Sequence, residues 1–227
     1  MRPFFSFYGG KWRSVKYYPH PKHDVIVEPF AGSAGYSVRY AEHKIILCDL
    51  DPTIAGLWRY LIGVSTEEIL SLPDLKEGQK VKDLDICDEA KSLIGFWLDA
   101  GQSRPRQSRS KWGRSGDRLF WGSRVRERVA SQLEKIRHWE IYNCSYRDLP
   151  FHGEATWFID PPYEIKGKYY RFTGLDYKDL AMWSKDRIGQ KIVCENEGAS
   201  WMDFIPLREI QSTMPGRTSK EAVWING

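Results

Sequence analysis

The sequence predicts an α/β protein: an open, mostly parallel twisted sheet with helices on both faces, split by an inserted, largely helical segment that carries a basic loop. Three observations predict it. Two β-α units follow one another near the N-terminus, the alternation is lost between about residues 61 and 137, and it resumes from residue 140. Such alternation argues for a parallel sheet with crossover helices. The sheet domain is then expected from 1–60 and 138–227, with 61–137 as the insertion.

Taken in order, "HDVIVEPF" (23–30) reads as a buried strand, the small-residue turn "AGSAG" follows, and "YSVRYAE" continues as a helix. "KIILCDLD" (44–51) is the second strand. A helix runs from Pro52 to about Ile62, with proline acceptable in the first turn because its missing N–H has no helical partner there. The insertion offers helical "DEAKSLIGFWLDA" (88–100), an Arg/Ser/Gly run, and helical "SRVRERVASQLEKIRHW" (123–139). After it come strands "EIYNCSY" and "ATWFID", helix "DYKDLAMWSKD", and strands "KIVCENE", "FIPLREIQST" and "EAVWIN".

At 227 residues the chain can bury a sizeable core, and its 41% hydrophobic and 28% charged composition fits a globular protein. No apolar run approaches membrane-spanning length. The start "MRPFFSFYGGKW" lacks a signal peptide's apolar core, so a cytoplasmic address is expected. Cys48, Cys87, Cys144 and Cys194 lie far apart in sequence, without zinc-ligand spacing, and read as plain buried thiols, with no metal expected. The net charge of +4 is mild, but residues 101–118 hold six cations against one anion.

Two strand ends carry acidic groups next to close turns. "VEPFAGSAGY" ends a strand on Glu28 and enters a helix through small residues, so backbone can approach a ligand. Twenty-one residues later, Asp49 ends the next strand, where a carboxylate can accept from ribose hydroxyls. Either Asp49 or Asp51 can instead cap the helix at Pro52. The third strand end is the most unusual, because "ATWFID" runs into Asp160-Pro161-Pro162-Tyr163 and two prolines cannot continue a ladder. A stiff turn here presents a carboxylate (Asp160) and a fixed carbonyl (Pro161) that together can hold an exocyclic amine by two acceptors. Holding it so favours a pyramidal, nucleophilic nitrogen. Tyr163 can stack on an extruded base. The plainer reading is a proline-rich turn with a solvated aspartate.

These motifs, with "FSFYGGK" before them, resemble in order the DNA adenine-N6 methyltransferases of the alpha group, the Dam-like enzymes. The resemblance implies a Rossmann-like methyltransferase fold and S-adenosyl-L-methionine as cofactor. It assigns cofactor binding to Phe7, Tyr8, Gly9, Gly10, Lys11, Glu28, Pro29, Phe30, Gly32, Asp49 and Asp148, the last from "NCSYRDLP". It assigns catalysis to Asp160, Pro161, Pro162 and Tyr163, and makes 61–137 a target-recognition segment for double-stranded DNA in a bacterial or phage-infected cell. Two departures stand out: Ala34 occupies the place of a usual second glycine, and Phe7 that of a frequent tryptophan.

In that frame Arg104, Arg106, Arg109, Lys111, Arg114 and Arg118 are candidate DNA-binding residues. Cations neutralise phosphates, and arginine also suits guanine in the major groove. A solvated charged loop is the alternative. Tyr169, Tyr170 and Phe172 either line a base pocket or pack in the core. The expected reaction is methyl transfer to N6 of a flipped adenine. Cytosine N4 or an RNA amine would suit the same acceptors, and an inactive DNA-binding protein is the reading from another class.

Overall fold

The computed structural model describes the chain apart from residues 77, 100, 109–119, 166–169, 173 and 212–217, with backbone alone for 208–211, 218 and 219. Seven strands form one sheet: β1 (Val25–Glu28), β2 (Lys44–Cys48), β3 (Glu140–Tyr142), β4 (Ala155–Ile159), β5 (Gly189–Asn196), β6 (Ile205–Gln211) and β7 (Thr218–Asn226). Their order is β3-β2-β1-β4-β5-β7-β6. The first five strands pair in parallel, while β7 runs antiparallel to both β5 and β6. The chain is therefore α/β with a mostly parallel mixed sheet. The antiparallel β6–β7 pair accords with the six residues that separate the two strands in sequence, fewer than the crossover a parallel pair needs.

Period-two patterning sends alternate side chains to opposite faces. Ile26, Ile45, Leu47, Phe158, Ile192 and Cys194 face one apolar cluster, and Val27, Ile46, Cys48, Trp157, Ile159 and Val193 face the other. Helices α1 (Gly35–Arg39) and α2 (Pro52–Gly63) cover the first face, and α6 (Tyr177–Lys185) the second. Three helices lie within 61–137, α3 (Thr66–Ser71), α4 (Asp88–Phe96) and α5 (Ser123–Ala130); α4 packs on α2, and α3 packs on α5. Their apolar residues Ile69, Leu93 and Val129 belong to the same cluster as Ile26 and Phe158.

The helices differ from expectation at three points. α3 was not foreseen, although Ser65 caps it by accepting from the Glu68 N–H at 3.0 Å, a local signal present in "STEE". α4 stops at Phe96 because the Gly95 carbonyl is taken by the Arg106 N–H at 3.1 Å. α5 stops at Ala130, and a 3-10 turn at Leu133–Ile136 redirects the chain. Arg137 then donates to the Ile62 and Val64 carbonyls at the end of α2. The cysteines depart from the expected buried thiols at two positions: Cys87 is exposed, and Cys144 is half-buried with its sulfur 3.5 Å from that of Cys48.

Candidate functional site

Three parallel strands end on one edge of the sheet, and the order reverses between β1 and β4, the position where open α/β sheets bind ligands. β1 ends on Glu28, β2 is followed by Asp49, and β4 by Asp160. Beside these ends lies a pocket of about 260 Å³. Its wall includes Phe7, Tyr8, Gly9, Gly10, Lys11, Glu28, Pro29, Phe30, Gly32, Asp49, Asp160 and Pro162. Residues expected from segments more than a hundred positions apart thus share one cavity.

The turn after β1 is tightly built. Gly32 and Ala34 both take left-handed backbone, with φ of 45° and 48°. Alanine there bears a cost that glycine would not, which gives the Ala34 departure its structural meaning. Asp49 ties this turn to the next element: Oδ2 accepts from the Gly32 N–H and Oδ1 from the Asp51 N–H, both at 2.9 Å. Each oxygen keeps a further lone pair for a ligand hydroxyl. Burial raises the Asp49 pKa to about 6, against those two stabilising bonds. Asp51, not Asp49, is the helix cap, accepting from the Thr53 N–H at 2.9 Å and pairing with Arg171 at 3.3 Å.

Glu28 is 2% exposed, and its Oε1 accepts from the Ser37 N–H at 2.6 Å. Burial raises its pKa to about 8, so the group is largely protonated at neutral pH. Lys11 is buried too. Its Nζ lies 2.9 Å from Asp160 Oδ1 and donates to the Gly9 carbonyl at 2.9 Å. Burial works against the Lys11 ammonium, but the charges of Asp160 and Glu221 outweigh it and hold its pKa above the ordinary value. Burial also raises the Asp160 pKa, while the nearby ammonium pulls it back. The ammonium approaches Oδ1 as an ion pair outside hydrogen-bonding alignment, and that fully buried oxygen has no hydrogen-bond partner among the described residues. The carboxylate retains acceptor capacity on the pocket wall.

Three of the expected cofactor-binding and catalytic residues are not on that wall. Asp148 is exposed: its 3-10 turn (Tyr146–Asp148) spaces side chains about a third of a turn apart, Tyr146 takes the buried face and Arg147 the pocket. Tyr163 turns inward, its hydroxyl donating to Glu221 Oε2 at 2.6 Å and its ring lying 4.7 Å from Lys11 Nζ. A buried phenol needs an acceptor, and β7 supplies it. The Tyr163 hydroxyl is thus held on the side of β7, away from the pocket wall. Pro161 is buried behind the wall, but no hydrogen bond among the described residues uses its carbonyl. The Pro162 carbonyl accepts from the Tyr177 hydroxyl at 2.8 Å, which pins the turn.

Tyr170 and Phe172 line the pocket, and Tyr169 lies outside the described residues. The basic run begins at the pocket mouth. Tyr8 N–H donates to the Gln102 carbonyl at 3.1 Å, and Ser103 is on the wall. Arg104 is exposed, and Arg106 pairs with Asp99 at 3.0 Å. Arg109, Lys111, Arg114 and Arg118 fall outside the described residues. Leu50, Tyr146, Arg147, Arg171 and Asp176 also line the pocket without having been singled out, as they belong to loops whose direction no periodicity announces. Among the described residues no cluster of His, Cys, Asp and Glu could hold a metal, and no helix is long and apolar enough to cross a membrane.

No protein-family model matches the chain, and no curated protein does. Among solved structures, a conserved hypothetical protein of Streptococcus pyogenes aligns over 89% of this chain and 86% of its own, at 9% identity and a TM-score of 0.39. A likeness that loose bears on neither fold detail nor function.

Proposed function

We propose that the chain is a site-specific DNA methyltransferase, moving the methyl group of S-adenosyl-L-methionine to N6 of an adenine flipped out of duplex DNA. The observation that carries this reading is Asp160: a half-buried carboxylate just after β4, one of its oxygens fully buried, on the wall of the same pocket as Asp49 and Glu28. The donor set fits the cofactor. Asp49 has acceptor capacity for ribose hydroxyls, and Phe30 and Leu50 offer apolar surface beside it for a purine. When bound, S-adenosyl-L-methionine supplies an electrophilic methyl group.

The chain's own residues then have distinct tasks. The Asp160 carboxylate accepts from the target amine, concentrating lone-pair density on nitrogen and offsetting the positive charge it develops, and the Pro161 carbonyl can take the second proton only once the turn moves to bring it to the wall. The nitrogen's surplus proton leaves by way of Asp160, whose raised pKa makes it a competent acceptor. Exclusion of water by the surrounding wall strengthens both contacts. Arg104 is exposed two residues beyond Gln102, whose carbonyl accepts from the Tyr8 N–H, and is a candidate phosphate contact beside the pocket.

Incubating the protein with duplex DNA and methyl-labelled cofactor, then digesting to nucleosides for mass measurement, tests the proposal. N6-methyl-2′-deoxyadenosine is expected; N4-methyl-2′-deoxycytidine would reassign the target base on the same acceptor, and transfer to RNA in a parallel incubation with none to duplex DNA would reassign the substrate.

A further inference from the structure

We infer that Glu221 is a positioning residue for Asp160: a buried carboxylate on β7 that anchors Tyr163 and gives Lys11 a second negative neighbour, so that Lys11 can release Asp160 to a substrate amine. The inference rests on Asp160 being the amine acceptor. Its electrostatic part stands apart from that reading.

The geometry is a relay of contacts behind the pocket. Lys11 Nζ sits 2.9 Å from Asp160 Oδ1 and 4.7 Å from the centre of the Tyr163 ring. The Tyr163 hydroxyl donates to Glu221 Oε2 at 2.6 Å, and the Tyr18 hydroxyl donates to the same oxygen at 3.4 Å. Glu221 is 7% exposed and is not on the pocket wall. A buried ammonium whose sole counter-charge was Asp160 would hold it tightly, because losing it would strand a charge away from water. With Glu221 nearby the ammonium stays compensated when Asp160 turns to an amine.

Among the described residues, the titratable groups facing Asp160 come from several elements. From the N-terminal segment come Lys11 and Tyr18, from β1 Glu28, from β5 Cys194, and from β7 Glu221, with Tyr163 and Tyr170 completing the surroundings. Burial pushes Tyr18, Tyr163, Tyr170 and Cys194 up, so these stay neutral near pH 7. Among the described residues, Lys11 and Glu221 are thus the charges that oppose one another across Asp160, the first lowering and the second raising its pKa.

The test follows the Asp160 carboxyl itself, by the 13Cγ resonance in aspartate-labelled protein, assigned with D160N. E221Q keeps an acceptor for Tyr163 and removes the charge. The Asp160 midpoint is expected to fall by about one unit, and the plateau kcat of methyl transfer to fall about tenfold with cofactor affinity unchanged. Glu221→Asp is expected to give smaller changes of the same sign, and serves if E221Q does not fold. An unmoved midpoint overturns the inference, and so does a lowered midpoint with undiminished kcat. If the wild type transfers no methyl group, the functional reading fails, while the midpoint still decides whether Glu221 governs Asp160.

Discussion

At the scale of single residues, the site depends on how closely two backbone segments approach. A Cβ added at Gly35 would sit 2.6 Å from the Trp12 nitrogen and 3.0 Å from the Lys11 carbonyl carbon. Backbone cannot swing aside as a side chain does, so Gly35→Ala must push the Lys11 segment off α1. The expected cost is about 1–3 kcal/mol of stability, with a weakened Lys11–Asp160 contact, read by urea denaturation and by the Asp160 carboxyl titration. The neighbouring Ala34 behaves differently. Relief of its left-handed strain by glycine, roughly 1–2 kcal/mol, is offset by added unfolded-state freedom and a lost buried methyl of similar size, so Ala34→Gly is expected to be near neutral. At this scale the sequence was informative about chemistry and blind to direction. The acidic strand ends were legible because strand length and position place them on one edge. That Asp148 points to solvent and Tyr163 toward Glu221 depends on a 3-10 turn and on a strand 58 residues away.

Among the elements, α2 shows how a local rule and the site meet. Asp51 caps the helix through the Thr53 N–H and pairs with Arg171, which is on the pocket wall. Asp51→Ala is expected to cost about 1 kcal/mol from the lost cap. Asp51→Asn keeps that acceptor and loses only the ion pair, and since Arg171 is about half exposed the change is expected to stay within about 0.5 kcal/mol. Thermal unfolding of the two variants separates the contributions. The strands and most helices were legible in periodicity, and Pro206 on the edge strand β6 is compatible with its place there. The antiparallel insertion of β7 between β5 and β6 was not legible, since apolar alternation carries no strand direction. Nor were the ends of α4 and α5, which are set by tertiary partners of Gly95 and Arg137.

For the whole molecule, buried acids shape the response to pH. Glu28 is raised from 4.5 to about 8 and Asp49 from 3.8 to about 6, chiefly by burial. Between the unfolded and folded pKa values the native state binds more protons than the unfolded one, so stability falls as pH rises. The ligand-free protein is therefore expected to lose stability from about pH 4.5 to pH 8. Glu28→Gln is expected to flatten that loss, raising Tm relative to the wild type at pH 8.5 and not at pH 4.5, by calorimetry. A fold that keeps three buried or half-buried acids at one sheet edge bears this cost for the sake of a site. The role of Asp160 is the central claim, and methyl transfer to duplex DNA by the wild type against Asp160→Ala measures it most directly. Labelled methyl recovered as N6-methyl-2′-deoxyadenosine with the wild type, and lost by more than a hundredfold in a still-folded variant, is the expected result; equal transfer by both proteins, or none by the wild type, would contradict it.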